Sequence, residues 1–170
     1  IVKNNVVQNC VETGIEGPYE LVYHNTVKNT GENSVARYTG STEAIYIKPT
    51  TEFEQKYIGN TIETRGLRCF SSYSNRDDEY KGIYILNNSM NLKNTDASIA
   101  CNYTRSDIEI NCKKIKKIVI ENNTGMMKDK KSVNIYTDKG YVMDYFSIHN
   151  PCMIGSVPEK ARYCFNINNN

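Results

Sequence analysis

Short apolar runs recur along the chain and are separated by clusters of Asn, Gly and Ser. Runs of this length that are rich in Ile, Val, Thr and Tyr are typical of β-strands. The pattern predicts strands at residues 19–24, 35–38, 44–48, 67–73, 81–86, 99–103, 108–111, 115–121, 132–137, 141–147 and 162–167. The strands at 132–137 and 141–147 predict a hairpin, because Gly140 suits the left-handed position of a three-residue loop.

One segment has a helical spacing instead. Between residues 51 and 65, the apolar side chains of Phe53, Tyr57, Ile58 and Ile62 fall close to one helical face. Gly59 lies in the middle of the segment and disfavours a helix by about 1 kcal/mol. We therefore expect at most one short helix.

Composition supports an all-β fold. The chain contains 29 Ile and Val residues but only nine Leu and Ala, with 13 Tyr and 13 Thr. β-branched and aromatic side chains suit a pleated surface, whereas Leu and Ala favour helices. Regular short strands with polar turns predict a mainly antiparallel, disulfide-stabilised β-sandwich or barrel.

The domain organisation has two interpretations. The strongest polar interruption is the segment 74–79, which suggests an N-terminal lobe at residues 1–76 and a β-rich C-terminal lobe at 77–170. The alternative is a single domain over residues 1–170, in which this segment is a polar loop. No internal repeat is evident in the pattern.

Six cysteines at separated positions suggest disulfide bonds rather than a metal site, because no paired zinc-ligand spacing occurs. Local patterns favour three pairings: Cys101–Cys112, Cys152–Cys164 and, by elimination, Cys10–Cys69. Disulfides persist in oxidising compartments, and the chain begins at Ile1 rather than Met. Both observations predict a secreted, extracellular protein whose signal peptide has been removed.

Charge and motifs exclude several functional classes. The net charge is +2, and no apolar run approaches the roughly 20 residues of a membrane-spanning helix. Phosphate-binding loops, dinucleotide-binding fingerprints and nucleophile or zinc motifs are absent from the sequence, so no cofactor and no metal is expected. The sequons at Asn87, Asn102 and Asn122 match the number that 22 asparagines produce by chance.

One set of residues is compatible with catalysis. His24 and His149 each follow a predicted strand, and Glu63 and Arg65 lie between them in the sequence. Two acid/base groups and an arginine suit phosphate-ester chemistry. Residues 134–149 resemble the terminal hairpin with which microbial ribonucleases present a catalytic histidine. The resemblance implies a small secreted ribonuclease as the alternative function.

Two surface features indicate binding. Lys113, Lys114, Lys116 and Lys117 form a basic strand segment, which either protects a sheet edge or docks an anionic partner. Tyr73, Tyr80 and Tyr84 flank the polar interruption and suit an aromatic interface anchor. Lysine in place of arginine disfavours nucleic acid as the partner.

The preferred prediction is a secreted interaction protein that acts by binding rather than catalysis. Its expected partner is a protein or an anionic glycan, and the composition suggests a pathogen or parasite effector or virulence factor engaging a host molecule. The oligomeric state is left open by the sequence.

Overall fold

The structure, a computed structural model, describes residues 1–30, 42–93, 106–126 and 133–150, and the backbone of residues 165–169. These residues contain β-strands and no helix. The strands are β1 (Val2–Lys3), β2 (Val6–Gln8), β3 (Ile15–Gly17), β4 (Leu21–Tyr23), β5 (Thr26–Thr30), β6 (Glu43–Ile47), β7 (Gln55–Ile58), β8 (Thr61–Thr64), β9 (Arg68–Tyr80), β10 (Ile83–Leu86), β11 (Ser89–Leu92), β12 (Ser106–Ile115), β13 (Lys117–Glu121), β14 (Val133–Thr137), β15 (Tyr145–His149) and β16 (Phe165–Asn169).

The strands form three sheets in which all pairing is parallel. Sheet A has the order β1-β4-β7-β10-β13-β15, sheet B the order β2-β5-β8-β11, and sheet C the order β3-β6-β9-β12-β14-β16. From β1 to β12, successive strands pass from sheet A to B to C and return to A one step further on, and the described strands β13 to β16 then alternate between sheets A and C. The path is a parallel β-helix, a solenoid whose first four coils are β1–β3, β4–β6, β7–β9 and β10–β12.

The predicted antiparallel sandwich is therefore wrong, although the all-β class is confirmed. Short strands and polar turns occur in both architectures, and the difference lies in which strands pair. The predicted hairpin illustrates this: β14 pairs with β12 and β16 in sheet C, whereas β15 pairs with β13 in sheet A. Of the predicted strands, those at 35–38 and 99–103 lie outside the described residues.

The predicted helix at residues 51–65 is also wrong, because this segment forms β7 and β8. Tyr57 and Ile62 both enter the core and are 0% and 1% exposed. Between the strands, Gly59 has φ +63°, a left-handed conformation that turns the chain from sheet A into sheet B. The glycine that disfavours a helix is the residue that makes this corner.

The core consists of inward-facing rows that run along the solenoid. In sheet C, Ile45, Phe70, Ile108 and Val133 occupy one register position on adjacent strands, and all are buried. Sheet A stacks Tyr57, Ile85 and Ile120 in the same way. Since each row needs a branched or aromatic side chain in every coil, the Ile and Val excess is explained by stacking.

A ladder of buried asparagines follows the corner between sheets A and B. In Asn60, Oδ1 accepts hydrogen bonds from the backbone N–H and the Nδ2 of Asn25, at 2.9 and 3.1 Å. Its Nδ2 donates to the Val22 carbonyl at 3.1 Å and to Asn88 Oδ1 at 2.9 Å. The same arrangement repeats in successive coils, and the members of this asparagine ladder are Asn5, Asn25, Asn60, Asn88, Asn123 and Asn150.

The residue before most ladder asparagines adopts a left-handed backbone. Asn4, His24, Asn87 and Asn122 have φ between 50° and 58°, and Gly59 has the corresponding value of 63°. Asparagine and glycine tolerate this region better than other residues do. The corner motif is thus an internal repeat, which the sequence pattern alone does not make evident.

The cysteines do not support the predicted disulfides. Cys10, Cys69 and Cys112 are free thiols, so neither Cys10–Cys69 nor Cys101–Cys112 is formed. Cys69 and Cys112 are fully buried in sheet C, where each occupies the volume of a small apolar side chain. Cys101, Cys152 and Cys164 lie outside the described residues, as does the sequon at Asn102.

The polar interruption at 74–79 belongs to the continuous strand β9. The proposed boundary between residues 76 and 77 falls inside this strand. Strands from either side of the boundary pair in sheet A, where β7 meets β10, and in sheet B, where β8 meets β11.

Candidate ligand-binding cleft on sheet C

A cleft of about 440 Å³ lies on the outer surface of sheet C, near the carboxyl ends of β3, β6 and β9. Ligand sites in proteins have volumes of about 300–1,000 Å³. The lining side chains are aromatic, hydroxylic and charged: Pro18, Tyr46, Lys48, Pro49, Thr50, Thr51, Tyr73, Ser74, Arg76, Asp78 and Tyr80. Their mixture of apolar faces and hydrogen-bonding groups suits a polar organic ligand.

Strand alternation places two tyrosines on this surface. Tyr46 lies between the buried residues Ile45 and Ile47, so its side chain points away from the core. Tyr46 is opposite Ser71 in the register, which makes Tyr73 its diagonal neighbour on the same face of the sheet. Tyr73 is 54% exposed, so its ring is accessible to a ligand.

A bulge in β9 builds one wall of the cleft. Ser74 pairs with Cys112 and Glu79 pairs with Lys114, so the four residues 75–78 face a single residue of β12. Such insertions leave the extra residues unpaired and redirect their side chains. The bulge holds Arg76 and Asp78 at the cleft, and the backbone N–H of Arg76 donates to Ser74 Oγ at 3.3 Å.

The two cations of the cleft differ in their pairing. Lys48 Nζ lies 2.8 Å from Glu16 Oε1, and this hydrogen bond raises the pKa of Lys48. For Arg76, no carboxylate of the described residues lies within ion-pairing distance of the guanidinium. Arg76 is therefore the cation that is available to an anionic ligand.

The Tyr46 phenol remains neutral. Burial raises the pKa of Tyr46, and the nearby carboxylates of Glu43 and Glu16 raise it further. The Tyr80 hydroxyl is paired with Ser74 Oγ beneath the bulge. Tyr46 thus has a hydroxyl that both donates and accepts hydrogen bonds at neutral pH.

Sheet C also contains a buried ionic cluster that the sequence does not predict. Arg68 bridges two carboxylates: its guanidinium lies 3.3 Å from Glu43 Oε1 and 3.0 Å from Glu109 Oε1. Burial raises the pKa of Glu43 to about 7, although the charge of Arg68 lowers it in part. These three side chains do not line the cleft, and alternation gives no sign that such charges are buried.

The basic segment lies on interior strands and not at a sheet edge. Lys113 and Lys114 belong to β12 and Lys117 to β13, and both strands have neighbours on each side, so these lysines do not protect a sheet edge. Three of the four lysines form ion pairs: Lys113 with Asp77, Lys116 with Glu79 and Lys117 with Glu54, at 2.9–3.0 Å. Acids of neighbouring coils therefore compensate most of the positive charge.

The predicted tyrosine anchor is divided between two faces. Tyr73 and Tyr80 both contribute to the cleft. Tyr84 lies on sheet A, where Lys56 Nζ is 5.9 Å from the centre of its ring. The sequence thus identified two residues of the cleft, but it missed Tyr46 and Arg76.

The structure does not bring the proposed ribonuclease residues together. Tyr23, beside His24, is separated from His149 by four strand steps of sheet A, which correspond to about 19 Å. Glu63 is paired instead with Lys93 at 2.7 Å on sheet B. His24 stacks on Tyr23 with 3.7 Å between ring centres. A single phosphate cannot contact both histidines.

Arg65, the remaining member of that set, follows β8, and its backbone N–H donates to the Thr30 carbonyl at 3.1 Å. In the portion of the chain that the structure describes, three or more His, Cys, Asp or Glu side chains nowhere cluster as metal ligands would. The same portion contains no helix long and apolar enough to cross a membrane.

Comparison with protein-family models, curated proteins and solved structures finds no match for this chain. The functional conclusion therefore rests on the geometry of the cleft.

Proposed function

We propose that this protein is a binding protein that holds an acidic glycan in the cleft on sheet C. The observation that carries the proposal is that one cleft contains both the exposed Tyr73 ring and the Arg76 guanidinium, which no carboxylate of the described residues pairs. An aromatic face and an available cation match the two chemical features of an acidic sugar, which are an apolar ring face and a carboxylate or sulfate.

Tyr73 supplies the packing surface. Tyrosine has a large apolar ring with a polar hydroxyl group, so its side chain tolerates contact with water and contributes binding energy when a ligand covers the ring. The diagonal position of Tyr46 extends this surface across a second strand. Thr50, Thr51 and Ser74 add hydroxyl groups around the rim, and these suit the hydroxyls of a sugar.

Arg76 supplies the charge. The planar guanidinium binds carboxylate or sulfate with two parallel hydrogen bonds. Asp78 lies on the same bulge and accepts hydrogen bonds from sugar hydroxyls. Because the site is open to solvent, its charge interaction weakens with added salt.

Secretion and a role as an effector stay predictions. The free thiols of Cys10, Cys69 and Cys112 remove the disulfide pattern on which the predicted secretion mainly rested. Glycan binding itself does not depend on that location.

Calorimetric titration tests the proposal. The probes are a carboxylated oligogalacturonate, a heparin-derived oligosaccharide and a neutral cello-oligosaccharide. We expect saturable binding of an acidic probe, a loss of about tenfold or more in affinity for Tyr73→Ala, and a clear loss for Arg76→Gln.

Matched controls lie on the other faces of the solenoid. Tyr84→Ala removes a tyrosine from sheet A, and Lys28→Gln removes an exposed cation from sheet B. Both should bind like the wild type. If no probe binds, or if Tyr84→Ala weakens binding as much as Tyr73→Ala does, the cleft is not the ligand site.

A further inference from the structure

The cleft on sheet C contains a second cation, Lys48, whose charge is occupied by a neighbouring carboxylate. Lys48 Nζ lies 2.8 Å from Glu16 Oε1, and the two side chains are 54% and 47% exposed. Lys48 lines the cleft, whereas Glu16 lies outside its lining. The ion pair is therefore at the border of the cleft, where the ammonium group is accessible to a bound ligand.

The register of sheet C explains how this pair forms. Glu16 on β3 is opposite Tyr46 on β6, so Lys48, two residues further along the chain than Tyr46, is its diagonal neighbour on the same face. The hydrogen bond from Lys48 to Glu16 raises the pKa of Lys48. The ammonium group is therefore charged at neutral pH.

The pair is of a kind that exchanges easily. Exposed ion pairs between lysine and glutamate contribute little to stability, because water solvates both groups and the long side chains lose freedom when they pair. By contrast, the ion pairs of Arg68 with Glu43 and Glu109 are buried, and breaking them would leave a charge without compensation. An anionic group of a ligand can take the place of Glu16 on Lys48 at a small cost.

Lys48 lies next to the aromatic ring on which the proposed function depends. Ile47 is opposite Ser72, so the register places Lys48, the next residue, opposite Tyr73. Arg76 follows Tyr73 by three residues, which span at most about 11 Å of extended chain. Both cations line the same cleft as the ring, so one short oligosaccharide can cover Tyr73 and contact both cations.

We propose that the cleft selects glycans with at least two anionic groups, and that Glu16 is an internal competitor which such a ligand displaces from Lys48. The inference rests on the proposed binding of an acidic glycan in this cleft. One anionic group binds Arg76, and a second group on a neighbouring sugar unit binds Lys48 in place of the Glu16 carboxylate. A singly charged glycan gains only the first interaction, because Glu16 keeps Lys48 occupied. Glu16 thus determines specificity without lining the cleft.

Two probes of the same chain length test the proposal. Trigalacturonate has a carboxylate on every sugar unit, and its dimethyl ester keeps a single one. In calorimetric titrations, the wild-type protein should bind trigalacturonate more tightly than the ester. Glu16→Gln should bind trigalacturonate about two- to fivefold more tightly than the wild type does, because the competing charge is removed, with no change for the ester. Lys48→Gln should bring the affinities for the two probes closer together.

The matched control is Glu63→Gln. Glu63 forms a surface ion pair with Lys93 at 2.7 Å on sheet B, so this substitution removes the same charge on another face of the solenoid. It should leave the affinities for both probes unchanged. If Glu16→Gln binds trigalacturonate no better than Glu63→Gln does, or strengthens binding of both probes by the same factor, the displacement of Glu16 is overturned and the proposed function stands.

Failure of the proposed function has a different result. In that case neither probe binds the wild type, or binding is the same in Tyr73→Ala and Arg76→Gln, and the inference falls with the function. The displacement also has a direct spectroscopic sign: the carboxyl ¹³C signal of Glu16 should shift when the wild type is saturated with trigalacturonate and should stay in place with the ester. An unchanged signal at saturation with trigalacturonate would show that Glu16 remains on Lys48 and would overturn the proposal.

Discussion

Replacing Asn60 with Asp tests the asparagine ladder with almost no change in shape. The amide nitrogen of Asn60 donates to the Val22 carbonyl and to Asn88 Oδ1, both of which are buried. In Asn60→Asp, an oxygen takes the place of this nitrogen and faces two acceptors.

The expected loss follows from that count. The Val22 carbonyl loses its side-chain donor, at a cost of about 1–3 kcal/mol, whereas Asn88 Oδ1 keeps the backbone N–H of Asn60 and loses one hydrogen bond of about 1 kcal/mol. The free energy of unfolding should therefore fall by about 2–4 kcal/mol. The total stability of a domain is about 5–15 kcal/mol, so the loss is a large fraction of it. Burial also disfavours the charged carboxylate and raises the pKa of the introduced carboxyl group above its unfolded value.

The sign of the pH dependence follows from the raised pKa. A raised carboxyl pKa means that the folded state binds the proton more tightly, so the penalty is smallest at low pH and grows as the pH rises through the folded pKa. Urea unfolding followed by circular dichroism, at about pH 4 and about pH 8, measures the difference from the wild type at each pH.

The control is Asn91→Asp, at an exposed position of β11. A surface change of this kind should stay within about 0.5 kcal/mol at both pH values. If Asn60→Asp is as mild as the control, the hydrogen bonds of the ladder do not stabilise the corner, and the account of the fold is wrong.

Three further predictions concern the corner, the thiols and the buried carboxylate. A Cβ at Gly59 would lie 2.3 Å from the His24 ring, so Gly59→Ala should destabilise the wild type more than it destabilises the His24→Ala variant. A double-mutant cycle by urea unfolding measures this coupling, and additive effects of the two substitutions would contradict the contact. Cys69 and Cys112 should react with an alkylating agent only after unfolding, because both are buried; mapping that finds either in a disulfide would contradict the structure. Because burial raises the pKa of Glu43 to about 7, the protonated carboxyl contributes most to stability below its unfolded pKa. The free energy of unfolding of the wild type relative to Glu43→Gln should therefore fall from about pH 4.5 to pH 7 and then level off. A difference between the two proteins that does not vary with pH would refute the raised pKa.

The sequence predicts strands well because stacking imposes the same local pattern as a sandwich. The segments at residues 44–48, 81–86, 108–111 and 115–121 all become strands near the expected positions. Parallel pairing is not predicted, because it depends on contacts between residues about one coil apart in sequence. The sequence does carry a mark of each of these coils, which is an apolar residue three positions before the ladder asparagine. The mark occurs at residues 2–5, 22–25, 57–60, 85–88 and 120–123.

The high asparagine content of the chain hides these corners in the sequence. With 22 asparagines in the chain, six ladder positions at unequal spacing do not stand out. The spacing is unequal because the coils differ in the length of their connections, so a search for a fixed period fails. The combination of an apolar residue, a left-handed residue and asparagine is more specific than asparagine alone.

The residues of the cleft are likewise only partly predictable from the sequence. Tyr73 and Tyr80 are recognisable in the sequence, since they flank a polar segment. Tyr46 joins them only because β6 pairs with β9 in one particular register. Arg76 faces the cleft only because β9 bulges. The sequence thus indicates an aromatic surface, whereas the composition of the site follows from strand pairing.

Mapping the ligand by NMR tests the proposed function most directly. Amide chemical shifts of the wild-type protein are followed while an acidic oligosaccharide is added. Binding in the cleft predicts saturable shifts at the end of β6 and in the β9 bulge around Arg76, with sheets A and B unaffected. Shifts centred on Tyr84 and the rest of sheet A, or no saturable shifts at all, would contradict the proposal.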